Sequence, residues 1–164
     1  MTAASPEVLR EVLIDRVYRL ATQLDGITEI AALIGRETQS RSCALMLQHR
    51  AEYSTHGGWY WGIDHVWAAA YVERFFACDP TVAEHFRISP EQAYATELNC
   101  QNEAFRESEF YRDFCEPQRL GYFAGAYSSL SDSLALRLTV QGDVDRGQYS
   151  PRDLALMQGL LPHL

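Results

Sequence analysis

Apolar residues recur at three- or four-residue steps through Leu9, Leu13, Val17, Leu20 and Leu24, which predicts an amphipathic helix at the start of the chain. Ser5 as cap, Pro6 at the first helical position and Glu7 in the first turn mark its beginning, and Asp25-Gly26 ends it. Thr28 restarts a short helix through Ile30, Leu33 and Ile34, closed by Gly35. The unbroken apolar run over residues 43–48 predicts a strand buried on both faces, with residues 52–60 as its hairpin partner. His56-Gly57-Gly58 interrupts that partner.

A second helix is predicted over residues 64–78, with Val66, Trp67, Ala70, Tyr71, Phe75 and Cys78 on one side and His65, Glu73 and Arg74 opposite. Asp79-Pro80 stops it, because proline disfavours helix at the residue before it. The aperiodic stretch over residues 81–102 reads as a long connection of the kind that often carries function. A helix follows over residues 103–115, ended by Pro117. Residues 121–129 and 134–141 then form a hairpin around Ser131-Asp132-Ser133. In its second strand Leu134, Leu136, Leu138 and Val140 alternate with Ala135, Arg137, Thr139 and Gln141, the pattern of a sheet with one solvated face. Ser150-Pro151-Arg152-Asp153 opens a last helix over residues 151–164, with an apolar stripe at Leu154, Met157, Leu160, Leu161 and Leu164. It runs out at Pro162-His163-Leu164 without a capping glycine, and the expectation is that the native chain continues. Helices at both ends of a hairpin-built antiparallel sheet make this an α+β fold, read as a single domain over residues 1–164.

Composition narrows the function. A hydrophobic content of 47% is too high for disorder, and 164 residues suffice for a core without disulfide or metal staples. A formal net charge of −8 argues against nucleic-acid binding by this chain, since duplex affinity rests on basic side chains neutralising phosphates. No apolar run approaches the roughly 18–20 residues of a membrane span, and the N-terminus lacks the basic and apolar regions of a signal peptide. Cys43, Cys78, Cys100 and Cys115 form no C-x-x-C motif and read as reduced thiols of a cytoplasmic protein. All 14 basic side chains are arginine, so Schiff-base and P-loop lysine chemistry are excluded.

Nucleophile elbows, zinc-protease and dinucleotide motifs are absent. His56, His65 and Asp64 are close enough in sequence to suggest a metal site, yet surface histidines are commoner than ligands. Glu103, Glu107 and Glu109 read as a solvated helix face, and Cys43 as inert packing. The expectation is therefore a non-enzyme with no metal or cofactor. Aromatics carry a stronger signal: Trp59, Tyr60, Trp61, Trp67, Tyr71, Phe75 and Phe76 crowd a short segment, and Trp67 and Tyr71 lie one helical turn apart. Together with Asp79 they suit the wall of a site for a mostly apolar ligand with one polar group. They equally suit a filled core beneath a small sheet, and Asp79 equally suits a cap on the turn that follows.

Three stretches then resemble a known family. Tyr71-x7-Asp79-Pro80, Ser108-Glu109-Phe110-Tyr111-Arg112-Asp113-Phe114-x2-Pro117 and the segment from Ser150 to the Leu160-Leu161-Pro162-His163-Leu164 ending are similar to the N-terminal sensor domain of LuxR-type transcription regulators. The resemblance implies a PAS/GAF-like α-β-α sandwich with a central antiparallel sheet, followed by a helix-turn-helix DNA-binding module that this chain does not contain. In the quorum-sensing branch a W-x3-Y pair and an Asp-Pro line an acyl-homoserine-lactone pocket, the aspartate accepting from the ligand amide. Trp67-x3-Tyr71 and Asp79-Pro80 match that pattern, with the Tyr-to-Asp spacing one residue short, and a later pocket tryptophan falls near Tyr94. Gln118-Arg119-Leu120-Gly121 departs from the family's glycine after Pro117.

The implied function is a cytoplasmic sensor that binds a small amphipathic effector between the sheet and the helix over residues 64–78. Its ligand residues would be Trp59, Trp61, Trp67, Tyr71, Asp79 and Tyr94. Homodimerisation through the terminal helices, over residues 6–24 and 151–164, accompanies it. DNA would be reached only through the following module, and no membrane is involved. The alternative is a ligand-free dimerisation or docking module of the same fold.

Overall fold

A computed structural model of the chain describes residues 6–23, 25–49, 54–85 and 87–164, except for the side chains of Pro6, Ser54, His56 and His85. The expected Ser5 cap, Leu24 and the start of the second strand at residue 52 lie outside the described residues. The four predicted strands form one sheet, β1 (Ser42–His49), β2 (Ser54–Trp61), β4 (Leu120–Ser129) and β5 (Leu134–Asp143). They are joined by a short strand not expected from sequence, β3 (Tyr94–Ala95), within the connection over residues 81–102. The spatial order is β2-β1-β5-β4-β3, with every neighbouring pair antiparallel.

Register decides what each face carries. Cys43 pairs with Trp61 and Val140, and Leu45 with Trp59 and Leu138, so these side chains share one face. Against it lie α1 (Pro6–Leu20), α2 (Gly26–Glu37) and α6 (Pro151–Leu160), whose Leu13, Val17, Ile30, Ile34, Met157 and Leu160 complete a buried core. The opposite face carries Ala44, Met46, Arg137 and Thr139, on which Tyr60, Tyr94, Phe123 and Gly125 also fall by pairing. It is covered by α3 (His65–Glu73), α4 (Pro80–His85), α5 (Glu103–Arg106) and a π-helical turn, Phe110–Cys115. The result is a helix-sheet-helix arrangement in three layers, the α+β fold expected.

Several boundaries differ from the sequence reading. Gly35 does not close α2 but lies inside it, at a position where a Cβ would come within 2.4 Å of the Trp61 ring. The helix expected over residues 64–78 is divided: α3 ends at Glu73, Arg74 turns out of helical geometry at φ −130°, and Phe75–Cys78 form a 3-10 turn. Val66, expected on the apolar side, is 62% exposed. Pro80 starts α4, the first-turn position its missing N–H favours. The helix expected over residues 103–115 is likewise broken into α5 and the π-helical turn. The polar face of β5 is not solvated: Ala135, Arg137 and Thr139 are all buried beneath the second helical layer.

Candidate functional site

A partly open cavity lies between the second face of the sheet and this layer. Its floor is Ala44, Met46, Tyr60, Phe123, Arg137 and Thr139, and its roof includes Ala68, Tyr71, Phe110 and Phe114. Asp64 accepts from the Val66 amide at 2.9 Å and so sets the start of α3, which carries Tyr71 over the sheet. Arg74, at the end of α3, donates to Glu109 at 2.7 Å and Asp113 at 2.9 Å and ties that helix to the π-helical turn. The wider turn places Phe110 and Phe114 in a stack, their ring centres 5.3 Å apart. Phe114 in turn meets Tyr71 at 5.4 Å and Phe75 at 5.1 Å. Such a single π-helical turn often occurs where side chains are aimed into a site.

The polar residues converge at one end. Tyr71 donates its hydroxyl to Asp79 Oδ2 at 2.7 Å. The Thr81 amide and hydroxyl donate to Asp79 Oδ1 at 2.8 and 2.7 Å, so Asp79 caps α4 while lining the cavity. Arg137 Nη2 donates to Thr81 Oγ1 at 3.2 Å. On the neighbouring wall Thr96 donates to Glu84, and Tyr94 projects from β3 opposite Gly125. Asp79 is 8% exposed and Arg137 is 3% exposed. Burial pushes the Tyr71 hydroxyl well above its ordinary pKa, and the adjacent Asp79 carboxylate adds to the effect. Tyr94 is raised for the same first reason. Burial opposes the charge on Arg137, but Tyr71, Asp79 and Tyr94 oxygens outweigh it, and the guanidinium holds its proton more tightly than in water. At neutral pH the end of the cavity therefore presents two neutral phenols and one cation beside Asp79.

Of the residues singled out from sequence, Tyr71, Asp79 and Tyr94 come together on this cavity. Trp67 stands behind it, edge-on to Phe114 at 5.8 Å. Trp59 and Trp61 fall on the other face of the sheet, packed against the core under α1, α2 and α6. Tyr60, between them, is the residue of that strand that faces the cavity. Arg137, Thr81, Thr139 and the Phe110–Phe114 pair were not singled out. The alternation in β5 was the available signal for Arg137 and Thr139, once its polar face is known to be covered.

Among the described residues no group of three or more His, Cys, Asp or Glu side chains could hold a metal ion. His65 is highly exposed and Asp64 is engaged in capping, while the His56 side chain lies outside the described residues. All four cysteines are free thiols, and burial pushes Cys43 and Cys115 well up, away from the reactive thiolate. No described helix is long and apolar enough to cross a membrane.

No protein-family model and no curated protein matches the sequence. Solved structures do match in fold. SdiA in complex with octanoyl-rac-glycerol is similar over 99% of this chain at 14% identity and a TM-score of 0.70, and this chain spans 66% of that one. CepR2 from Burkholderia cenocepacia, described as an N-acylhomoserine lactone dependent LuxR family transcription factor, is similar over 98% of this chain and 93% of its own. Its TM-score is 0.65 and its identity 16%. The LBD domain of VqsR from Pseudomonas aeruginosa is similar over 96% of this chain and 88% of its own, with a TM-score of 0.54 and 14% identity. The fold is thus shared with CepR2, a LuxR family transcription factor, and with the VqsR LBD domain.

Proposed function

We propose that this chain is the sensing domain of a LuxR-type transcription regulator and that residues 1–164 act as one unit that binds a small amphipathic molecule. One observation carries the reading: an apolar, aromatic-walled cavity with polar side chains gathered at one end, Tyr71, Asp79, Thr81 and Arg137 among them. That division into apolar walls and a few placed polar groups is how proteins hold and orient small ligands. A ligand-free docking module of the same fold has no use for this space, so the cavity favours the sensor. The ligand's apolar part lies between Met46 and the Phe110–Phe114 pair, and its polar group meets the cluster around Asp79. Trp59 and Trp61 act at a distance, through the core on the far side of the sheet.

In this reading the chain performs no catalysis, requires no cofactor and works in the cytoplasm. It forms a homodimer and reaches DNA through a helix-turn-helix module beyond this sequence. A ligand alters the regulator only through different affinities for two states of the domain. Native mass spectrometry of the purified chain, followed by organic extraction, tests the central claim. A reproducible non-covalent adduct, lost from a Gly125→Leu variant that fills the cavity beside Tyr94, is the expected result. Adduct binding unchanged in that variant would place the ligand elsewhere and overturn it.

A further inference from the structure

We propose, resting on that reading of the cavity, that the ligand's head is anionic, a carboxylate on an apolar chain, and that Arg137 is the residue that selects it. The argument begins with the donors and acceptors that remain unused. Asp79 already accepts three hydrogen bonds, one from Tyr71 and two from Thr81, and a carboxylate offers about four lone-pair sites. It has little left for a ligand N–H.

Arg137 is in the opposite condition. A guanidinium has five N–H donors, and one of those on Nη2 goes to Thr81. Nε and Nη1 are closed off from solvent and meet no hydrogen-bond acceptor. Thr81 stands between Arg137 and Asp79, donating to the carboxylate and accepting from the guanidinium, so the two charges are linked by a relay rather than in contact. The Tyr71 and Tyr94 oxygens also attract the cation, Tyr71 from hydrogen-bonding distance. Glu84, on the neighbouring wall, is engaged by Thr96. The charge itself is stabilised by the tyrosine oxygens, but buried guanidinium donors left without an acceptor are costly in a protein interior.

An acceptor arriving in the cavity relieves that cost, and an anionic one does so most completely. A carboxylate presents two charged oxygens to a planar fork, where an ester or amide supplies one weaker acceptor. The remaining wall fits the other half of such a molecule, since Ala44, Met46, Phe110, Phe114 and Phe123 offer no charge. Arg137 is held in place by the strand: it pairs with Met46 on one side and Tyr127 on the other, at the centre of the sheet. The face from which it projects is fixed before any ligand arrives.

The test compares decanoate with methyl decanoate and decanamide on the unmodified chain by isothermal titration calorimetry. Decanoate is expected to bind at least about tenfold more tightly than either neutral analogue, the scale of one charge-assisted hydrogen bond. Arg137→Gln should abolish that preference, so that decanoate binds the variant no more tightly than the ester does. Arg137→Lys, which keeps the charge and loses the fork, should retain part of it. If Arg137→Gln fails to fold, the unmodified series and the lysine variant still decide the matter. Equal affinities for all three molecules, or a preference that survives in Arg137→Gln, overturn the anionic head. Tight binding of the ester or amide with weak binding of decanoate overturns it while leaving the cavity as a ligand site. No binding by the three probes or by octanoyl-glycerol, and no co-purified adduct, overturns both.

Discussion

Gly35 shows how one missing side chain sets an interface. Its Cα lies so close to Trp61 that an added Cβ would meet two ring carbons at 2.4 and 2.5 Å. Tryptophan can therefore lie flat between the sheet and α2, with the Arg36 guanidinium 5.8 Å from its ring centre. We expect Gly35→Ala to destabilise the fold by about 1–3 kcal/mol, the usual cost of forcing atoms into a packed core. A shift of the urea midpoint to lower concentration checks this, and combining the substitution with Trp61→Leu should recover much of the loss. An unchanged midpoint in the single variant would show that the ring moves freely. The same stretch shows why site residues are hard to read from composition. Trp59, Tyr60 and Trp61 are neighbours in sequence, yet period-two geometry sends the tryptophans to the core and the tyrosine to the cavity. An aromatic cluster marks where large apolar side chains are needed, and parity decides which of two layers receives them.

Elements in this protein are shaped at their ends. α6 begins with a reciprocal cap in which Ser150 accepts from the Asp153 amide, and Asp153 accepts from the Ser150 amide. Arg146 also donates to Asp153 at 2.9 Å and to the Thr38 carbonyl at 2.7 Å, which fastens the start of α6 to the end of α2. Burial works against the Asp153 carboxylate, but its bonds from Ser150 and Arg146 outweigh that and lower its pKa below the ordinary 3.8. A carboxylate with a lowered folded pKa binds fewer protons folded than unfolded. Its stabilisation is present above the unfolded value and is lost as pH falls through the lower folded one. We expect stability to decline below about pH 4, and Asp153→Asn to flatten that decline while costing stability at neutral pH. Parallel acid dependence of the two proteins in denaturant melts would contradict this. The reciprocal cap was legible because its partners are three residues apart. The division of the helix over residues 64–78 was not, because Arg74 is drawn aside by Glu109 and Asp113, more than thirty positions later.

At the scale of the whole molecule, the two faces of the sheet have different work. One is filled by the terminal helices and α2, and the other encloses the cavity. α1 buries Leu13 and Val17 in the first layer and turns Val8 and Val12 outward, at 51% and 56% exposure. Single exposed valines are ordinary, but a pair four residues apart forms one ridge on the helix. That ridge is where we place the homodimer contact of the proposed regulator. The parent chain should elute with the mass of a dimer in size-exclusion chromatography with light scattering, and Val12→Arg with that of a monomer at unchanged circular dichroism. A monomeric parent, or a dimer that tolerates the arginine, would move the interface elsewhere.

Local chemistry in the sequence determined the helices at both ends, the buried strand β1, the β4–β5 hairpin and the cap of α6. In each, period, cap or turn is complete within a few residues and needs no distant partner. A family resemblance, not local chemistry, grouped Trp59, Trp61, Trp67, Tyr71, Asp79 and Tyr94, and of these Tyr71, Asp79 and Tyr94 line the cavity. Only the tertiary structure decided that the polar face of β5 is covered rather than wet. Alternation shows that a strand has two unlike faces, and nothing local states what lies over the second. Arg137 is the consequence. In the sequence it reads as a solvated side chain; beneath α3 and the π-helical turn it is a buried cation with unused donors in the wall of a cavity. Its charge is a property of the residue, and its role comes from the layer that closes over it.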